Sequence, residues 1–220
     1  MCRFLIVKSK EKINPQLFLN PLSDLSEKST APNGDRQWDG WGVSWRENDK
    51  WQVRKSLKPM WEDKEKFGEI PSTDLLVAHA RGSGFIKDTG EIEFNQPFID
   101  DQICYVFNGT IYKVKLAIPL EGKIGSQKIF SLLRYELNKT NPVEAMETVD
   151  KLILRNSEKI EGMNIGLIIG KDIYVLNQYA QHEDYYSLYY FESEDLTMVC
   201  SEPFGDYEWK KFQKGEVKSF

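Results

Sequence analysis

The sequence predicts an α+β fold in which largely antiparallel sheets carry helices on their outside. The order of elements leads there. Short apolar β-rich runs come first, two consecutive amphipathic helices follow, and strands close the chain, so the regular strand–helix alternation of a parallel sheet is missing. The aromatic content agrees: 12 Phe, 10 Tyr and 6 Trp in 220 residues suit a packed interior rather than a disordered chain. The length fits one domain over residues 1–220, with no repeat, low-complexity tract or linker to divide it.

Each element has a local reason. Residues 3–7 form a short apolar β run. Asn20-Pro21 reads as an N-cap with proline at the first helical position, with Leu22 and Leu25 as an apolar stripe behind it. Residues 29–39 are polar, hold Pro32, Asn33 and Gly34, and read as a loop. GWGVSW at 40–45 and KWQVRKS at 50–56 predict a hairpin about Glu47-Asn48-Asp49. Pro59 stops it, having no N–H for the ladder. The charged stretch 61–73 reads as partly helical. LLVAH at 75–79 is a buried-strand run ending in the glycine-rich turn Arg81-Gly82-Ser83-Gly84.

ICYVF at 103–107 is a strand that stops at Asn108-Gly109, the strongest short turn signal. Ile129, Phe130, Leu132, Leu133 and Leu137 have helical spacing over 126–137. Asn141-Pro142-Val143-Glu144 is a capping box with proline at N1, opening a helix through Met146, Val149, Leu152 and Ile153. Strands at 164–169, 172–178, 187–191 and 197–201 complete the chain. The aromatic tract 185–191 reads as a core or edge strand rather than a ligand-stacking surface.

Several functions are disfavoured. A net charge of −5 with interspersed Lys and Glu argues against a general nucleic-acid binder. No run approaches the ~18 apolar residues of a membrane span. The start MCRFLIVKSKEK has too short an apolar run for a secretory signal. Three widely spaced cysteines (Cys2, Cys104, Cys200), no CxxC pair and two histidines (His79, His182) disfavour a zinc site and a disulfide framework. They fit a reducing cytoplasm. No metal or cofactor motif is present, so no cofactor is expected, and a Ser-His-Asp triad has thin support.

Cys2 is the informative residue, although a small residue after the start can also be incidental. Removal of Met1 would leave it with a thiol and a free α-amine on one residue. An α-amine titrates near ~7.7–8.0, so it can act as a base at physiological pH. A nucleophile served by its own N-terminal amine can cleave an amide: the sulfur attacks the carbonyl and the amine moves the proton to the leaving nitrogen.

Five segments in order strengthen this reading: Met1-Cys2-Arg3-Phe4; the run 39–45, Asp-Gly-Trp-Gly-Val-Ser-Trp; the run 79–84, His-Ala-Arg-Gly-Ser-Gly; Asn95-Gln96-Pro97-Phe98 with Phe107-Asn108-Gly109-Thr110-Ile111; and the run 200–204, Cys-Ser-Glu-Pro-Phe, with Trp209 and Gly215-Glu216-Val217. Together they resemble the class II glutamine amidotransferase domain of the N-terminal-nucleophile hydrolases. The nearest flavour is the small stand-alone subgroup that includes γ-glutamyl amide and peptide hydrolases.

The resemblance implies a four-layer αββα sandwich of two largely antiparallel sheets between helix layers. It implies Cys2 as nucleophile and α-amine base, with the Asn108 side chain and the Gly109 backbone N–H as the oxyanion hole. Arg81 would hold the substrate carboxylate, since a guanidinium fork matches a carboxylate in bidentate fashion. Gly82 and Gly42 would stand with Arg81 around the substrate, with Gly40 and Gly42 serving close packing near the nucleophile. His79 is read as a structural hydrogen-bonding residue.

Two departures stand out. The family aspartate that meets the substrate α-ammonium is replaced by Gly125, with Glu121, Asp100 and Asp101 as candidate substitutes. A histidine common before the Pro-Phe pair is Gln96 here. The chain shows no synthase domain, so it is read as a stand-alone hydrolase of glutamine or a γ-glutamyl amide or peptide, or as a subunit passing ammonia to a separate acceptor subunit. No nucleic-acid or membrane partner is expected, and the oligomeric state is left open. The alternative is a non-catalytic or regulatory binding protein on the same fold, for which Gly125 is the support. A papain-type peptidase would need Cys2 and His79 to meet.

Overall fold

Alternation along the first strand sets the architecture. The computed structural model describes residues 1–29, 31–83 and 88–220. Strand β1 (Arg3–Ile13) sends Phe4 and Ile6 into one core and Leu5 and Val7 into another, and all four are fully buried. A strand apolar on both faces must lie between two layers. β1 is the central strand of a seven-stranded sheet with β2 (Trp41–Glu47), β3 (Lys50–Ser56), β4 (Thr73–Ala80), β9 (Tyr189–Glu192), β10 (Leu196–Cys200) and β11 (Lys210–Lys211). The order is β11-β9-β10-β1-β4-β2-β3. A five-stranded sheet joins β5 (Phe98–Asp100), β6 (Ile103–Tyr112), β7 (Lys159–Ile169), β8 (Asp172–Asn177) and β12 (Glu216–Ser219) in the order β12-β8-β7-β6-β5. Pairing is antiparallel throughout both sheets among the described residues.

The sheets pack face to face, with Phe4, Ile6, Leu75 and Val77 against Cys104, Val106, Ile168 and Val175. The outer face of the larger sheet is covered by helix α1 (Gln16–Lys28) through Phe18, Leu19 and Leu22, and by Met60 and Phe67 from two 3-10 turns. The outer face of the smaller sheet carries α2 (Gly125–Leu137) and α3 (Pro142–Asn156), whose Leu132, Leu133, Met146 and Val149 pack on Tyr105, Ile165 and Leu167. This is an αββα sandwich. Each fully buried aliphatic side chain of this kind contributes roughly 1.5–3 kcal/mol relative to exposure.

Most elements stand where the sequence puts them. In the β2–β3 hairpin Asn48 and Asp49 both have positive φ (50° and 59°), with Glu47 opposite Lys50. Those are the dihedrals of a two-residue type I′ turn, which Asn and Asp tolerate. Asn141 caps α3, its Oδ1 accepting the Glu144 N–H at 3.0 Å.

Three expectations need correction. α1 begins at Gln16, not after Asn20, and Pro21 lies inside it. The start signal is Asn14-Pro15: Asn14 Oδ1 accepts the Gln16 N–H at 3.0 Å, and the Pro15 carbonyl accepts from Leu19 at 2.9 Å. Asn108-Gly109 is not a turn. β6 runs straight through it to Tyr112, with Asn108 opposite Asn164 and Gly109 opposite Met163. The tract 185–191 is not all strand, because Glu183–Tyr186 forms one helical turn, α4, before β9. Of the glycine-rich turn, Gly84 lies outside the described residues.

Candidate active site

The end of β4, the start of β1 and the middle of β6 converge. Cys2 immediately precedes β1, which pairs with β4 so that Arg3 lies opposite Ala80. The Cys2 backbone N–H donates to Asn108 Oδ1 at 3.1 Å, across 106 residues of chain. That bond orients the amide: Oδ1 is taken, and the buried Nδ2 has no partner among the described residues. Cys2 Sγ lies 3.7 Å from the Gly82 carbonyl oxygen, which can accept from the thiol.

Glycine is required at Gly109, where a Cβ would lie 2.1 Å from the Gly162 carbonyl oxygen of β7. It is also required at Gly82, where a Cβ would meet the backbone oxygen of Met1 at 2.4 Å. Met1 itself is buried, at 7% exposure. Its carbonyl accepts from Gln37 Nε2 at 3.2 Å and its sulfur from the Tyr186 hydroxyl at 2.7 Å. The Tyr185 hydroxyl donates to the Cys2 carbonyl at 3.3 Å.

Arg81 is only 5% exposed. Its N–H donates to the Gly40 carbonyl at 2.8 Å and its own carbonyl accepts from Asp39 at 3.0 Å. Asp39 Oδ2 also accepts the Ser83 N–H at 2.6 Å, so the Asp-Gly segment pins the turn after β4. In the side chain, Nη2 donates to the Asp88 carbonyl, and Nη1 has no partner among the described residues. A buried guanidinium with an unfilled donor is stabilised by an incoming anion.

Cys2, Arg81, Gly82 and Gly109 line one cavity of about 350 Å³, and Gly125 stands in its wall. Asn108 lies behind the lining, bonded to Cys2. Gly42 is not among the lining residues. A Cβ there would be 2.2 Å from the Gln96 carbonyl oxygen, so Gly42 lets Gln96 sit against β2. Gln96 in turn clasps the residue before Asn108, its Oε1 accepting the Phe107 N–H at 2.6 Å and its Nε2 donating to the Phe107 carbonyl at 3.3 Å.

His79 Nε2 donates to that same carbonyl at 3.3 Å. Burial, with Arg81 and Lys55 adding repulsion, pushes its pKa down to about 3, so it is neutral at physiological pH. It supports β6 and supplies no imidazolium for a thiolate. None of the three acids proposed to replace the family aspartate is in the cavity wall. Asp100 binds Arg134 Nε at 2.6 Å, Glu121 lies 3.4 Å from Arg134 Nη1, and Asp101 sits exposed with φ 49°. Among the described residues, the acidic residue that lines the cavity is Asp88.

Three features escaped the sequence reading. Arg3 anchors the first strand, bonding Glu202 at 2.9 Å and the Tyr185 carbonyl at 2.9 Å. Ser201 Oγ accepts the Phe4 N–H at 3.0 Å, which gives the Cys-Ser-Glu run its place beside β1. The cavity also extends along Val114, Leu116, Ile118 and Leu120, whose period-2 spacing was the available signal.

No protein-family model and no curated protein sequence matches the chain. Solved structures do. A glutamine aminotransferase class-II domain protein from Silicibacter pomeroyi superposes with a TM-score of 0.68 at 16% identity, covering 99% of this chain and 94% of its own. The chain has the fold of class II glutamine amidotransferase domains. A predicted glutamine amidotransferase from Pseudomonas aeruginosa matches with a TM-score of 0.58 at 13% identity, over 100% of this chain and 97% of its own. The glutamine phosphoribosylpyrophosphate amidotransferase of B. subtilis matches with a TM-score of 0.62 at 11% identity, over 91% of this chain and 42% of its own. The amidotransferase fold thus accounts for the whole chain in the small relatives and for part of the larger enzyme. No helix among the described residues is long and apolar enough to cross a membrane.

Proposed function

We propose that the chain is an amide hydrolase acting on glutamine or a γ-glutamyl amide through a thioester on Cys2. The observation that carries it is the contact between the Cys2 nitrogen and Asn108 Oδ1 at 3.1 Å, which leaves Asn108 Nδ2 as a buried donor with no partner among the described residues. With Met1 removed, that nitrogen becomes a primary amine and takes the thiol proton. The sulfur attacks the γ-carbonyl carbon, and the C–S bond forms as the carbonyl π pair moves to oxygen. Asn108 Nδ2 and the Gly109 N–H are the proposed donors to this oxyanion. The tetrahedral intermediate then collapses, the C–N bond breaks, and the ammonium of Cys2 gives its proton to the leaving nitrogen. Water, deprotonated by the same amine, attacks the thioester; the C–S bond breaks, and the γ-carboxylate leaves as the thiol is restored. Arg81 Nη1 holds the substrate α-carboxylate. Gly82, which lies against the Met1 backbone, leaves open room beside Cys2 once Met1 is gone. Delivery of the ammonia to a separate acceptor subunit is an extension of the same chemistry.

The test is intact mass before and after incubation with 6-diazo-5-oxo-L-norleucine. Loss of Met1 and a single adduct on Cys2 is the expected result. Retention of Met1 in protein from its native source would overturn the mechanism. A second reading, a non-catalytic or regulatory binding protein, is favoured by Gly125, which stands in the cavity wall where the resemblance places an acid.

A further inference from the structure

The cavity beside Cys2 has two chemically different ends. At one end are Cys2 and the unfilled Arg81 Nη1. At the other, the segment between β6 and α2 contributes Val114, Leu116, Ile118 and Leu120. These alternate with Lys115, Ala117, Pro119 and Glu121, yet the segment belongs to no strand of either sheet. Alternation without a sheet gives a ribbon with one apolar edge. That edge lines the cavity, and Ile124 and Ile129 continue it.

This end is hostile to a cation. Gly125 begins α2, and nothing among the described residues lies within 4 Å of where its Cβ would be. Lys128 adds positive charge next to the positive end of the helix. Asp100 and Glu121 are committed to Arg134. Asp88, the acid among the described lining residues, stands beside Arg81, whose side chain its carbonyl holds, and not along the apolar edge. An ammonium placed among these apolar walls would be desolvated without a counter-charge. The space, about 350 Å³, falls in the roughly 300–1,000 Å³ range of small-molecule pockets.

We propose that this site takes a carboxylate-bearing γ-glutamyl amide whose α-nitrogen is acylated by an apolar chain. The chain lies along Val114, Leu116, Ile118 and Leu120, the carboxylate meets Arg81, and no ammonium is buried. The proposal rests on the hydrolase reading for the reacting end, and the following measurements separate the two.

Binding to the Cys2→Ala variant is measured by calorimetry with L-glutamine and with its Nα-butanoyl, hexanoyl and octanoyl derivatives. Turnover of the same compounds and of γ-L-glutamyl-octylamide is measured on the wild type. The octanoyl derivative should bind at least about tenfold more tightly than glutamine, with affinity rising by up to about fourfold per methylene. Leu116→Ser with Ile118→Ser should flatten that rise. Affinity independent of chain length would overturn the proposal even if that double variant fails to fold. So would a wild-type preference for the octylamide, which would put the apolar group on the leaving amine. Chain-dependent binding with no turnover would keep the ligand class and sink the hydrolase reading. Glutamine turnover with no chain dependence would do the reverse.

Discussion

Acidification from about pH 7.5 to about pH 5 should weaken the fold through His79, and its surroundings set the size of the effect. The imidazole is fully buried, with Nε2 donating to the Phe107 carbonyl. That leaves Nδ1 as the unprotonated nitrogen, and Nδ1 has no partner among the described residues. Protonation would add an N–H with nothing to accept it, in a buried place near Arg81 and Lys55. The folded-state pKa is therefore lowered from 6.5 to about 3, mainly by burial. Between those values the unfolded chain binds one more proton than the folded chain, so stability is lost as pH falls. Over the stated interval single-site linkage gives about 2 kcal/mol. Its size is set by the unfolded imidazole, because pH 5 is still well above 3. His79→Gln removes the titration while leaving an amide donor for Phe107. Urea unfolding of both proteins at both pH values is the assay. The wild type should lose about 2 kcal/mol more than the variant, a difference of about 1 M in midpoint for a slope near 2 kcal/mol/M. Equal pH dependence in the two proteins would refute the reasoning.

Three further outcomes follow from the site. Asn108→Ala, which removes the proposed oxyanion donor, should lower kcat about 10²–10³-fold in a glutaminase assay while the Cys2 adduct with the diazo reagent forms more slowly rather than elsewhere. Arg81→Lys keeps the charge but loses the fork, so KM for a γ-glutamyl substrate should rise more than kcat falls. Gly109→Ala forces a methyl to within 2.1 Å of a backbone oxygen on β7, so β6 must shift. A cost of about 1–3 kcal/mol is expected, read as a fall of several degrees in Tm by calorimetry.

How far the sequence could be read depended on the range of the forces involved. Period-2 and helical patterns reflect burial along one element, so the hairpin, β4, α2 and α3 were legible. Asn108-Gly109 misled because its turn chemistry is local, whereas its actual conformation is imposed by β7. Gly109 is glycine for the sake of the Gly162 oxygen, not for a turn. Pro21 misled for the opposite reason: it looks like a helix start, but Asn14-Pro15 already supplies one. Tyr185 was read as strand because nothing in the tract shows that its hydroxyl reaches the carbonyl of Cys2, 183 residues away. Cys2, Arg81 and Gly82 were legible as a set only through the resemblance, and the structure places them around one cavity. Gly42 was assigned to the substrate from the same motif, yet its neighbour is Gln96.

The burial of Met1 bears on when the proposed removal of that residue would have to happen. At 7% exposure, held by Gln37 and Tyr186, the first residue offers an aminopeptidase little purchase once the chain has folded. Yet β1 cannot complete its place in the sheet until β10, residues Leu196–Cys200, has been synthesised to pair beside it. At about 5–20 residues per second, roughly 10–40 s separate emergence of the first strand from synthesis of its partner. That interval, while the chain is still growing, is the window in which the methionine is accessible, so the amine that the proposed mechanism needs would have to be uncovered during translation.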